Sequence, residues 1–247
     1  MTLILALACA DGIVMASDGQ ATYSTAGQPV KQPIEKLKAL GQCIVWGGAG
    51  DVGVLQKVGY ALEPLQPQQL CLPIAQLRPI LYQAVRPVMI QALQNFISIP
   101  GTQPPVVDLL FCGYWGREPW ILEIDPQARD VQHEDAGFAA VGSGDIFPYF
   151  AMTSLVHYGV RQRNILQGQL IAYRVVDDAI NTAAQGLGPP IGMWVAEKPL
   201  EAESPAEVRK LLKDELRRIE LAVAEWKKIE SSTLSETLGL RPEEPAT

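Results

Sequence analysis

The first eighteen residues, MTLILALACADGIVMASD, constrain the fold more than any other stretch of the chain. An apolar run from Leu3 to Ala8 passes through Asp11-Gly12 into a second apolar run, Ile13 to Ala16, and the segment ends on Asp18. Two apolar runs around an Asp-Gly turn predict a β-hairpin. Such a hairpin returns Asp18 to the end where the chain begins, beside Thr2. Removal of Met1 would leave a threonine whose free α-amine lies close to its own hydroxyl and to a carboxylate, a known form of activated nucleophile. Taken singly, Thr2 is only the residue after Met1, and Asp18 only a strand end.

The rest of the chain narrows the class. Its 247 residues fit one large domain or two small ones, and 48% apolar residues are enough for a sizeable core. A net charge of −7 argues against a nucleic-acid footprint, which needs clustered positive charge. The apolar start lacks the basic flank of a signal peptide, and no run approaches the roughly 18 apolar residues of a membrane span. Cys9, Cys43, Cys71 and Cys112 sit in apolar surroundings without a CxxC pair, and only His133 and His157 could add imidazole. Buried reduced thiols, no metal site, no cofactor and a cytoplasmic location are the expectations.

Further elements follow in blocks. Ile34 to Leu40 alternates apolar and polar as a half-buried strand does. Cys43 to Trp46 reads as a strand ending in a Gly47-Gly48-Ala49-Gly50-Asp51 turn, with Asp51 capping a helix to about Leu62. The glycines lack the lysine and hydroxyl of a phosphate loop. Leu72 to Phe96 predicts a long helix holding Pro79 and Pro87. Strands are expected at 106–115, 119–124, 131–134 and 138–141, helices at 145–159 and 170–184, and a last strand at 191–195. Blocks of strands and blocks of helices predict an α+β fold, a four-layer αββα sandwich of two antiparallel sheets flanked by helix pairs. Ser204-Pro205-Ala206-Glu207 reads as a capping box opening a C-terminal helix to about Glu230. The stripe Leu212, Leu216, Ile219, Val223 and Trp226 would dock that helix on its own domain or on a neighbouring subunit. Residues after Ser231 read as disordered. The division is 1–200 for the layered domain and 201–247 for the helical extension and tail.

Thr2, the DGIVMASDGQAT block from Asp11 to Thr22, Lys36, the GGAGD run and Gly142-Ser143-Gly144-Asp145 together resemble proteasome β-type subunits. The string from Asp18 to Thr22 is most similar to the bacterial heat-shock-locus V peptidase, while GGAGD and the Asp125-Pro126 turn are closer to proteasome β chains. The resemblance covers about residues 2–197 and points to a bacterial proteasome homologue outside the standard α/β pair. It implies Thr2 Oγ as nucleophile and its α-amine as general base. An α-amine with a pKa of about 8 is substantially neutral at working pH, unlike an ordinary lysine. It further implies Lys36 beside Thr2, held by Asp18, and Ser143 near the amine. The Gly47 N–H would form the oxyanion hole. The backbone of Thr22 and Ala49 would pair with an extended substrate, and Ala21, Ile34, Val45 and Ala49 would line the pocket for the side chain before the cut.

One departure stands out. The family's loop after the second helix pair carries an aspartate and a serine that support the threonine, whereas Gln185-Gly186-Leu187-Gly188-Pro189-Pro190 carries neither. The implied function is a threonine endopeptidase subunit of homo-oligomeric stacked rings acting on peptides or unfolded proteins. The departure keeps a catalytically degenerate ring subunit as a second reading, and an N-terminal-nucleophile amidohydrolase of a small amide is a third. Any ATPase unfoldase partner is not legible in these residues.

Overall fold

A computed structural model describes residues 1–25, 28–97, 106–133, 135–142, 146–182, 186–201 and 204–237, with backbone alone at 22–25 and 28–30. In chain order the elements are β1 (Leu3–Cys9), β2 (Gly12–Ser17), β3 (Gln20–Thr25), β4 (Gln28–Pro33), β5 (Leu37–Leu40), β6 (Ile44–Gly50), α1 (Val52–Leu62), α2 (Pro67–Leu70) and α3 (Ile74–Ile97). They continue with β7 (Val107–Trp115), β8 (Glu118–Ile124), β9 (Asp130–Gln132), β10 (Phe138–Gly142), α4 (Ile146–Tyr158), α5 (Ile165–Thr182), β11 (Gly192–Glu197), β12 (Val208–Lys210) and α6 (Lys213–Thr237). The chain divides into two compact units, Met1–Leu211 and Leu212–Thr247.

The first unit has the expected α+β layering. Among the described residues, one sheet runs β10-β1-β2-β11-β12, a second runs β5-β6-β7-β8-β9, and β3-β4 form a separate hairpin. Every pairing is antiparallel. Strand alternation builds the layers. On β1, Ile4, Ala6 and Ala8 join Met15, Leu37, Val45, Leu110 and Cys112 in the core between the sheets. Cys9 points the other way, toward Gly168 of α5. The outer core on the opposite side joins Val58 and Leu62 of α1 and Leu77, Leu81 and Val85 of α3 to Phe111 and Leu122 of the second sheet. β1 is therefore buried on both faces, which explains its near-continuous apolar sequence.

In the first unit three expectations change. The glycine run is not a turn: β6 continues through it to Gly50, paired with β7 from Ile44↔Gly113 to Gly50↔Val107. Glycine is needed there because neighbours come close. A Cβ on Gly48 would lie 2.3 Å from Leu55 Cδ2 of α1. One on Gly50, whose φ is +116°, would lie 1.8 Å from the Val106 carbonyl oxygen. The capping-box reading at Ser204 also fails. Backbone partners in the sheet take that segment: Ala206 N–H donates to Tyr114 O at 2.9 Å and Val208 N–H to Gln42 O at 2.8 Å, and β12 pairs with β11. Lastly, the helix expected from 170 begins at Ile165, where Asp11 of the hairpin turn accepts the Ile165 N–H at 2.6 Å.

The second unit is α6, which starts later than the sequence pattern suggests. Leu212 N–H donates to Glu215 Oε2 at 2.7 Å, so Glu215 closes the first turn. Asp214 and Glu215 complement the helix dipole at its positive end. The disordered tail expected from Ser231 gives way to helix as far as Thr237.

Candidate active site

The hairpin brings Thr2 and Asp18 together because β1 and β2 pair from Ile4↔Ser17 to Cys9↔Gly12. Asp18 N–H donates to the Leu3 carbonyl at 3.2 Å, one step beyond the ladder. Its carboxylate is fully buried. Oδ1 accepts the Leu3 N–H at 2.9 Å, and Oδ2 accepts the N–H groups of Gln20 at 3.2 Å and Gly188 at 3.4 Å. Lys36, between the β3-β4 hairpin and β5, completes the cluster. Its Nζ donates to Asp18 Oδ1 at 2.7 Å, to Thr2 Oγ1 at 3.2 Å and to the Met1 carbonyl at 3.3 Å. An ammonium has three N–H donors, and each here has an acceptor.

The Lys36 side chain is only 6% exposed, and burial pulls its pKa below the ordinary lysine value while Asp18 pulls the other way. The α-amine of Met1 is lowered first by burial and then by the Lys36 charge. A cation held at a hydroxyl favours loss of the hydroxyl proton, and it lowers the proton affinity of any amine beside it. The cluster can thus prepare a hydroxyl for attack, provided a neutral base takes the proton.

A cavity of about 260 Å³ opens on Thr2. It is lined by Ala21 and Ile34, by Gly48 and Gly50 of β6, and by Val52, Leu55 and Gln56 of α1. Trp46, stacked on Phe111 with ring centroids 6.0 Å apart, also lines it. β5 pairs with β6 only as far as Leu37↔Gly47, so β6 runs past it, and among the described residues no strand pairs with that edge at Gly48–Gly50.

A family model described as proteasome subunit matches residues 2–184. The chain belongs to the proteasome subunit family. At that level it is a protease-type subunit with the N-terminal-nucleophile hydrolase fold. Solved proteasome-like structures agree over the whole chain. The helical assembly of the Anbu complex from Pseudomonas aeruginosa is 19% identical, with a TM-score of 0.70 over 99% of this chain and 98% of that one. Anbu (ancestral beta-subunit) from Yersinia bercovieri is 14% identical, with a TM-score of 0.68 over 99% of each chain. Anbu from Hyphomicrobium sp. strain MC1 is 14% identical, with a TM-score of 0.68 over 99% of this chain and 100% of that one. At such identities the likeness speaks for the fold. No curated protein matches the sequence.

Within this proteasome-family fold the sequence-derived residues separate into groups. Thr2, Asp18 and Lys36 meet, and Ala21 and Ile34 line the cavity. Thr22 follows Ala21 on β3, paired with Lys31. Ser143 lies outside the described residues. Val45 and Ala49 do not line the cavity. Both are 1% exposed, and Val45 packs between the sheets. Gly47 is on the same face, its α-carbon turned toward Leu37 and Ile4. The reason is strand alternation: once β6 runs through the glycines, residues 45, 47 and 49 share one face and 46, 48 and 50 the other. The cavity takes the second set. Trp46, Gly48, Gly50 and the α1 residues were thus missed, and the signal that finds them is the period of two counted through the glycine run. Among the described residues, no group of three or more His, Cys, Asp or Glu could hold a metal ion, and no helix is long and apolar enough to cross a membrane.

Proposed function

We propose that the chain is a threonine endopeptidase subunit whose nucleophile is Thr2 Oγ once Met1 has been removed. The observation that carries this reading is the Lys36 ammonium, bridging Asp18 Oδ1 at 2.7 Å and Thr2 Oγ1 at 3.2 Å in the lining of the cavity. The freed α-amine of Thr2 takes the hydroxyl proton, directly or through water, and returns it to the leaving amine. The positive charge of Lys36, whose Nζ lies 3.2 Å from Thr2 Oγ1, disfavours protonation of an amine on that residue. Lys36 stabilises the attacking oxygen as it becomes negative, and Asp18 keeps Lys36 in position. The oxyanion donor is a backbone N–H of the glycine run; Gly48, which lines the cavity, takes the place first given to Gly47. An extended peptide lies between Ala21-Thr22 of β3 and the Gly48–Gly50 edge of β6 as an added strand. Ser143 would act beside the amine.

Substrates are peptides or unfolded proteins, because a strand-like substrate must be unfolded where it is cut. A broad peptidase needs enclosure, and identical chains assembled in stacked rings supply it. The helical assembly named for the Pseudomonas aeruginosa relative supports homo-oligomerisation. Mass spectrometry of the N-terminus together with a fluorogenic peptide assay tests the reading. Turnover should require loss of Met1 and should fall at least about a hundredfold in Thr2→Ala. Equal turnover by wild type and Thr2→Ala would remove Thr2 from the mechanism.

A ring subunit that does not cleave is the second reading, and one observation favours it. The loop at 186–190 offers no carboxylate or hydroxyl. Its Gly188 N–H supports Asp18, and Met1 packs on Gly186. An assembled particle that keeps Met1 and shows no Thr2-dependent turnover would establish that alternative.

A further inference from the structure

The charges around the cavity do not cancel. Lys36 is engaged by Asp18, and Glu35 Oε1 is paired with Lys210 Nζ at 2.7 Å. Lys38 also lines the cavity, and among the described residues no carboxylate lies within ion-pair distance of it. What holds Lys38 is an aromatic ring. It stands directly across from Trp46 in the β5-β6 ladder, and its Nζ lies 5.7 Å from the centroid of the Trp46 ring. A cation over an indole face keeps its charge and its outward N–H donors. The cavity therefore presents one ammonium beside Trp46 that lacks an anionic partner among the described residues.

We infer that the cavity receives an acidic side chain, aspartate or glutamate, on the residue preceding the cleaved bond, and that Lys38 binds its carboxylate. This specificity rests on the proposed peptidase reading for its place in the reaction, but the binding it requires can be measured without cleavage. An apolar side chain in the same place would strip water from the Lys38 ammonium and return no hydrogen bond. A lysine or arginine would face two cations, Lys36 and Lys38. A carboxylate makes a charge-assisted hydrogen bond to Lys38. Trp46 limits how far the side chain can enter, and the apolar walls from Ile34 and Leu55 accommodate its methylene groups.

The test uses N-acetyl tetrapeptide amides that differ only in the last residue, Glu, Gln, Leu or Lys. Calorimetry reads binding to the full chain, and fluorogenic versions of the same peptides read turnover. The Glu peptide should bind about tenfold more tightly than the Gln peptide, with an advantage that shrinks as salt rises. Lys38→Met should bring the Glu-to-Gln ratio close to one, and Lys38→Glu should shift preference to the Lys peptide. Lys38 is exposed on its strand, and circular dichroism of each variant checks that the fold persists. A Glu-to-Gln ratio near one in the wild type, a ratio unmoved by Lys38→Met, or tightest binding by the Leu peptide would each overturn the inference. So would a Gln peptide with a free terminal carboxylate that binds as tightly as the Glu amide, since the site would then read a chain end. Preferential binding of the Glu peptide without Thr2-dependent cleavage would uphold the cavity assignment and sink the peptidase reading. Cleavage without preference for Glu would do the reverse.

Discussion

Replacing Asp18 by Asn tests the electrostatic arrangement at its centre. Asp18 is fully buried and accepts from Lys36, Leu3, Gln20 and Gly188, while Lys36 is only 6% exposed. The amide keeps one acceptor oxygen but turns two N–H donors toward groups that are themselves donors. It also leaves the Lys36 ammonium buried without its counter-charge. Removing one partner of a buried pair costs about 3–5 kcal/mol. For a protein of this length that lowers Tm by roughly 6–20 °C. Differential scanning calorimetry at fixed subunit concentration measures the shift. The double variant Asp18→Asn/Lys36→Met has no stranded charge and should recover much of the loss. The pH dependence has a definite sign. Burial already holds the Lys36 pKa below its ordinary value of 10.5, and Asp18, which opposes that, is gone in the variant. Between the folded and unfolded lysine pKa values the unfolded chain binds more protons, so stability rises with pH. The deficit of Asp18→Asn should shrink on the alkaline side. A Tm within a few degrees of wild type, or a double variant no more stable than the single one, would refute the claim that Asp18 balances Lys36.

Other perturbations separate chemistry from scaffold. Lys36→Ala should lower kcat for peptide cleavage by about a hundredfold or more while Lys36→Arg keeps part of it, checked by steady-state kinetics. Gly50→Ala should cost at least about 1–3 kcal/mol in urea unfolding, because φ is +116° and the new Cβ meets the Val106 carbonyl. Phe111→Ala, which removes the ring stacked under Trp46, should cost about 3–5 kcal/mol by the same measurement. Alkylation of the native protein near pH 8, read by mass spectrometry, should modify half-buried Cys71 before the others. Cys9 is buried and its thiol is pushed up to about 12, and Cys112 is raised further by complete burial.

The features that could be read directly from the sequence are those whose cause is local. The Leu3–Ser17 hairpin follows from two apolar runs and Asp11-Gly12, and the blocks of strands and helices follow from hydrophobic period. Thr2, Asp18 and Lys36 were legible as a set because the hairpin geometry links the first two and a recognisable order of motifs supplies the third. What escaped was decided by partners distant in sequence. Ser204 to Glu207 has a good local helix signal, but Tyr114 and Gln42 offer backbone partners that draw it to the sheet edge. Asp11, which looks like a turn residue only, also caps α5 from 154 positions away. The glycine run suggested a turn, and pairing with β7 made it a strand. That single difference moved the cavity from Val45 and Ala49 to Trp46, Gly48 and Gly50.

The partners of Asp18 carry a consequence for timing. Leu3, Gln20 and Lys36 lie within the first 36 residues, but Gly188 comes just before β11, and Gly19 N–H donates back to the Gly188 carbonyl at 2.9 Å. A chain still emerging from synthesis has its threonine, its lysine and its carboxylate long before it has the amide that completes the carboxylate's shell. The closing bond waits until the loop at 186–190 has docked on the β1-β2 hairpin, made much earlier. A segment made early is thus finished by one made much later, and a half-made subunit holds Thr2 and Lys36 before the carboxylate beside them has its full set of donors.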